Sequence, residues 1–140
     1  IFQTDDKFII EIQEYGCLFL CLAYYATKYK NKIWDYNELN KIWILAKTKN
    51  YINKKNEIED YSKIINLLGL NIRYCNKHEP LRIIDFKKQY AITKWFNINT
   101  GLYHFVVGQS KPVEYDPYSI TGSRTVKEGK PIDMRLFDIK

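Results

Sequence analysis

Residues 103–119 read YHFVVGQSKPVEYDPYS: an alternating β-branched and aromatic run, a glycine, a polar turn closing on Pro112, a second short alternating run, then Asp116-Pro117. This grammar predicts a hairpin in which Leu102–Val107 pairs with residues 113–115 around the turn 108–112. In that register Val107 lies opposite Val113, Phe105 opposite Tyr115 and His104 opposite Asp116. Directly opposed side chains of an antiparallel pair have Cβ atoms about 4.5 to 5.5 Å apart, close enough for a carboxylate to hold an imidazole. Tyr103, Phe105, Val107, Val113 and Tyr115 then share an apolar face and His104 shares the other with Asp116. A slip of one residue would destroy both groupings.

Working outward, residues 70–74 and 90–96 also read as strands, with a last one at 134–137. Before Gly69 the period is helical. Residues 17–29 are apolar on every face, the pattern of a helix enclosed by the rest of the domain. Asp35 and Glu38 have capping-box spacing ahead of a helix over 36–47 that carries Leu39, Ile42, Trp43 and Ala46 on one side. A third helix is expected from Glu57, with Ile58, Tyr61, Ile64, Ile65 and Leu68 on one stripe and Gly69 as its stop. Helices followed by an antiparallel sheet indicate an α+β class, and residues 1–140 suit one domain. Residues 119–131, polar and with two glycines, are expected to form a mobile loop.

No apolar run approaches the roughly 18 to 20 residues that cross a bilayer, and no signal segment opens the chain, so a soluble protein without a membrane span is expected. The chain starts with Ile1 rather than Met, which leaves an upstream leader or anchor open. Three cysteines, Cys17, Cys21 and Cys75, fit no disulfide framework and favour a reducing, cytoplasmic compartment. Cys17 and Cys21 share a helical face, but His78 and His104 stand alone, so four zinc ligands are not assembled. The net charge of +6 is scattered over the chain without a basic helix face or a stacking signature, which argues against nucleic acid and faintly favours an anionic partner. Oligomeric state is not legible.

The chemistry centres on Gln13-Glu14-Tyr15-Gly16-Cys17, where a polar lead-in meets the apolar helix. The unpaired N–H groups and partial positive charge of a helix N-terminus stabilise a thiolate, and Gly16 permits a sharp turn into it. Cys21, one turn deeper, reads as packing, as does Cys75 at a strand end, while His78 in Lys77-His78-Glu79-Pro80 reads as a solvated loop residue. Ser62, Ser110 and Ser119 lack the turn that exposes a serine nucleophile. A catalytic thiol needs a base in reach and a third group to orient it, the roles open to His104 and Asp116. No cofactor is implied by a thiol, an imidazole and a carboxylate.

In this order of elements the chain resembles the papain-like cysteine peptidases, especially the double-glycine leader peptidases and uncharacterised relatives from bacteria, phages and plasmids. The resemblance is carried by residues 103–119, by residues 13–17 and by GSRTVKEGK at 122–130. It implies a papain-like fold, a peptide or peptidoglycan-like substrate, and hydrolysis of a peptide or isopeptide bond through an acyl-enzyme. It implies Cys17 as nucleophile, His104 as base and acid, Asp116 as its orienter, and Gln13 as oxyanion donor with the Cys17 N–H. The family glutamine usually precedes the cysteine by six positions; here Glu11 stands there and Gln13 is four before. A carboxylate cannot donate unless protonated. Either the turn is shorter in this branch, or the oxyanion hole is defective and the chain is a catalytically silent papain-like domain that binds or scaffolds.

Overall fold

The computed structural model describes residues 1–30, 32–70, 72–108 and 111–139, with backbone alone described at 30, 73 and 75–79. Four helices come first: α1 (Ile10–Tyr15), α2 (Cys17–Lys30), α3 (Tyr36–Thr48) and α4 (Tyr61–Leu67). The strands β1 (Ile72–Glu79), β2 (Gln89–Asn97) and β3 (Leu102–Val107) come next, then α5 (Arg124–Glu128) and β4 (Lys130–Ile139). All pairings are antiparallel in the order β1-β4-β2-β3, so the last strand is inserted between β1 and β2 and β3 forms an edge. This is the α+β architecture the sequence predicts, N-terminal helices packed on a C-terminal antiparallel sheet.

α2 is apolar all round because it is covered all round. Leu18 to Ala23, Tyr25 and Ala26 are buried in one core with Leu39 and Trp43 of α3, Ile64 of α4 and Ile92, Val107 and Phe137 of the sheet. The Tyr25 hydroxyl donates to the Ala91 carbonyl at 2.6 Å, and the rings of Tyr25 and Tyr29 stack on Tyr90. Among the described residues no helix is long and apolar enough to cross a membrane.

α3 starts where its cap predicts, with the Asp35 carboxylate accepting from the Glu38 N–H at 2.7 Å, and it buries Leu39, Trp43 and Ala46. The next helix begins later than Glu57. Asp60 is the residue that caps it, through the Lys63 N–H. The preceding residues close a small loop in which the Asn53 side chain accepts from the N–H groups of Lys55 and Glu57, and Ile58 reaches the core from a bridge to Ile52. At the sheet, β4 runs from 130 to 139 rather than 134 to 137, since its polar flanks pair with the long strand β2. His78 falls within β1 rather than a loop; its side chain and that of Cys75 lie outside those described.

Two expectations around the hairpin change. Residues 113–115 make no strand: β3 pairs on one side with β2, and on the other, among the described residues, a single bridge joins Val107 to Tyr115. That bridge sits two residues from the predicted register, and Gln109 and Ser110 of the turn lie outside the described residues. Residues 119–131 are not a plain loop either. They contain α5, capped by Ser123 and docked through Val126 onto Trp95 and Val106 on the sheet face away from α2.

Candidate active site

Three separate elements bring the predicted residues together. Cys17 opens α2, His104 lies on the edge strand β3, and Asp116 comes directly after the Val107–Tyr115 bridge. Because the register differs by two, His104 and Asp116 are diagonal rather than directly opposed. An even slip keeps them on one face, and His104 Nε2 meets Asp116 Oδ1 at 2.6 Å with both side chains buried. The ring of Tyr118 stands edge-on to the imidazole at 6.4 Å.

Asp116 is held from two sides. Oδ1 also accepts from the Tyr118 N–H at 3.0 Å, and Oδ2 accepts from the N–H and hydroxyl of Ser123, each at 2.8 Å. Ser123 in turn caps α5 by accepting from the Val126 N–H. Burial alone would raise the Asp116 pKa; the His104 contact and these N–H and hydroxyl donors outweigh it and hold the carboxyl below its ordinary value. The N-terminal segment clamps the same turn, with the Gln3 N–H donating to the Pro117 carbonyl at 2.6 Å and Thr4 donating to Tyr118.

With Nε2 turned to Asp116, the other imidazole nitrogen is free to face Cys17. Burial works against charge on His104, but Asp116 and Cys17 more than compensate, and its pKa rises to about 9. For the Cys17 thiol burial pushes up, while the imidazole by hydrogen bond and charge, then the Phe105 and Leu18 N–H groups, pull down further, leaving it below the ordinary value of 9.0. The two shifts have one cause: each group favours the charged form of the other.

Sequence reasoning missed why two cysteines stand one turn apart. β3 is an edge strand, and the Phe105 backbone turns its groups toward α2: its N–H supports the Cys17 sulfur and its carbonyl accepts from the Cys21 thiol at 3.5 Å. Cys21 therefore docks the helix on the strand, and burial, then the charges of Cys17 and Asp116, push its own thiol up. Ser123 was also missed, although a serine ahead of Val126 has N-cap spacing. Gly16 is required for a different reason than a sharp turn. Its φ of −82° is ordinary, but a Cβ there would lie 2.6 Å from the Ile12 carbonyl, where α1 abuts α2.

The amide assigned to the oxyanion has another partner. Gln13 Nε2 donates to the Phe8 carbonyl at 2.7 Å, and Glu11 turns to α3, where it accepts from the Trp43 indole and pairs with Lys47. The buried amide attached to the site segment is instead Gln3, 4% exposed, whose Oε1 has no partner among the described residues.

A family model described as "Protein of unknown function, DUF261" matches residues 1–139. The chain belongs to the DUF261 family. No curated protein and no solved structure matches it. In this DUF261 chain the site also adjoins a cavity of about 290 Å³ that is bounded by Cys17, Tyr61, Lys94, Tyr103, Phe105 and Arg135. Among the described residues no group of three His, Cys, Asp or Glu side chains is placed to hold a metal ion.

Proposed function

We propose that the domain is a papain-like thiol hydrolase that cleaves a peptide or isopeptide bond. One observation carries the reading: a buried imidazole is held by a carboxylate on Nε2, and its hydrogen bond and charge pull down the thiol of a helix-opening cysteine. A thiolate at Cys17 would attack the carbonyl carbon, forming a C–S bond as the carbonyl electron pair moves to oxygen. Collapse of that tetrahedral species breaks the C–N bond, and His104 gives its proton to the departing amine. Water then loses a proton to His104 while its oxygen attacks the thioester; the C–S bond breaks, the carboxylic acid leaves and the thiol system is restored. Asp116 keeps the ring oriented and its charge stabilised through both half-reactions. The Cys17 backbone N–H, at the start of α2, supports the oxyanion together with a side-chain amide.

The engaged Gln13 amide favours a second reading, a domain of the same build that binds without turnover. A thiol-directed epoxide separates them. Mass spectrometry of the labelled protein is expected to place the adduct on Cys17 well ahead of Cys21 and Cys75, with loss of labelling in His104→Ala. Equal labelling of Cys17 and Cys75, together with unchanged binding by Cys17→Ala protein, would leave the binding reading standing.

A further inference from the structure

The cavity beside Cys17 is floored by two cations from adjacent strands. Lys94 of β2 and Arg135 of β4 lie on the same sheet face, since Arg135 pairs with Ile92 and Lys94 with Asp133. Arg135 is only 3% exposed. Burying a guanidinium is costly unless its charge and its five N–H groups are met. Here Nη1 donates to Asp133 at 2.5 Å, Tyr61 contacts the head group, and the Phe105 ring lies 4.8 Å from the guanidinium carbon. The Nε–H has no acceptor among the described residues. The Lys94 ammonium sits over aromatic rings, 4.3 Å from the centre of Tyr103 and 5.8 Å from that of Phe105. Asp133, behind the lining, is joined to Arg135, and Glu14, Glu57 and Lys55 line the same cavity as exposed side chains.

Among the described residues the Lys94 ammonium has aromatic faces and no ion pair, and the Arg135 Nε–H has no acceptor, so the inner part of a recess that also holds the nucleophile leaves a place for one more negative charge. We infer that the cavity takes a carboxylate of the substrate, an aspartate or glutamate side chain within two residues of the scissile bond. This rests on Cys17 as the nucleophile. The aromatic walls exclude water around the incoming acid, and the free Nε–H gives it a directional donor where a neutral amide would gain less. Selection comes from charge and not from size: glutamine has the shape of glutamate and should be rejected.

The test compares two peptidyl epoxides that differ only in glutamate or glutamine at the residue next to the warhead, and a second pair with the change one residue further. Iodoacetamide, which is neutral and small, reports the thiol itself. In one of the two pairs the glutamate probe is expected to label Cys17 at least about tenfold faster. Lys94→Gln should bring that ratio within about threefold while thermal unfolding confirms an intact fold. Equal rates in both pairs with iodoacetamide labelling intact would overturn the cavity assignment and leave the hydrolase standing. Should Cys17 resist every reagent, the hydrolase reading falls, and NMR titration of Cys17→Ala protein decides the cavity alone. Acetyl-Ala-Glu-Ala-Gly-amide must then bind more tightly than its glutamine twin and shift the resonances of residues 94 and 135. If the glutamine peptide ending in a free carboxylate wins instead, the cavity reads chain termini and the side-chain assignment fails.

Discussion

Asp116→Asn removes one charge with almost no change of shape, so its effect is set by the donors around the carboxyl group. The carboxylate accepts four hydrogen bonds, from His104 Nε2 and the Tyr118 N–H on one oxygen and from the N–H and hydroxyl of Ser123 on the other. An asparagine must point its NH2 at one of these sides. Toward Ser123 it meets a backbone N–H that cannot turn away; toward His104 it meets the Tyr118 N–H and forces the imidazole to accept at Nε2, which puts the ring proton on the nitrogen facing Cys17. Either orientation leaves a buried donor unmet, costing about 1 to 3 kcal/mol of stability. The loss of charge also lets burial act on His104, now held at about 9 against 6.5 for a free imidazole, so its pKa falls and the Cys17 thiol rises toward 9.0. A change of about one pH unit in each corresponds to roughly 1.4 kcal/mol of lost coupling. The assay is the rate of Cys17 alkylation by iodoacetamide against pH, read on the peptide that carries it. The wild-type profile should inflect below 9.0 and the variant about one unit or more higher. A folded variant whose profile superimposes on the wild type would show that Asp116 does not tune the pair.

Ser123→Ala loses one donor to Asp116 and the cap of α5, so about 1 to 2 kcal/mol of stability and a smaller upward move of the Cys17 inflection are expected, by denaturant melts and the same alkylation profile. Gly16→Ala drives a Cβ to 2.6 Å from the Ile12 carbonyl and should cost about 2 kcal/mol or more while slowing Cys17 labelling, because α1 must move off the start of α2; a neutral result would mean the junction can open freely. Gln13→Ala removes a bond to the Phe8 carbonyl and should cost about 1 kcal/mol, with turnover of a fluorogenic peptide changed by less than about fivefold. Gln3→Ala keeps the backbone bond to the Pro117 carbonyl and should cost about 1 kcal/mol or more in denaturant melts while leaving the Cys17 alkylation profile unmoved; a shifted inflection would mean that the buried amide acts on the Asp116 turn.

The pH dependence of stability is set by where the protons sit. In the unfolded chain the imidazole releases its proton near 6.5 and the thiol near 9.0; in the fold the imidazole holds its proton to about 9 and the thiol gives its up earlier. Taken alone, the raised His104 stabilises fully below 6.5 and loses that contribution as pH rises to about 9. The lowered Cys17 acts in the opposite sense, adding stability as pH rises toward 9.0. Between 6.5 and 9.0 the two contributions oppose each other, so the pair should give a weaker pH dependence there than His104 alone. Urea melts of wild type and of the Cys17→Ala, His104→Ala double variant give the difference; a difference that falls from pH 6.5 to 9 as steeply as His104 alone requires would mean Cys17 stays a thiol.

The parts of this fold that were legible are those set by short-range physics. The Asp35 cap, the all-round apolar helix that Cys17 opens and the extent of β3 depend on residues within a turn or two of each other. What was not legible depends on partners far away in sequence. Residues 113–115 have strand chemistry but, among the described residues, find one bridge, because further along the open edge of β3 the Phe105 backbone is engaged by the cysteines of α2. The polar residues 119–131 look mobile in isolation, yet Ser123 and Val126 gain partners in Asp116 and Trp95. Glu11 and Gln13 looked like competing oxyanion residues only because nothing in the sequence places α3 and Phe8 beside them.

The His104 and Asp116 pairing survived a wrong register for a reason that bears on the site itself. Side chains alternate along a strand, so what a hairpin conserves under an error of two is the face and not the partner. The carboxylate does not need to stand opposite the imidazole; it needs the same face and a turn that brings it back. That turn is fixed by Ser123 and Tyr118 on Asp116 and by Gln3 and Thr4 on residues 117 and 118, none of which belongs to the hairpin. The position of the third residue is therefore set by α5 and the N-terminal segment rather than by strand pairing. Shortening the 108–112 turn by one residue or by two should therefore leave the His104 to Asp116 contact and the Cys17 alkylation profile intact; loss of both on a one-residue deletion would mean that the Val107 to Tyr115 bridge places the carboxylate after all.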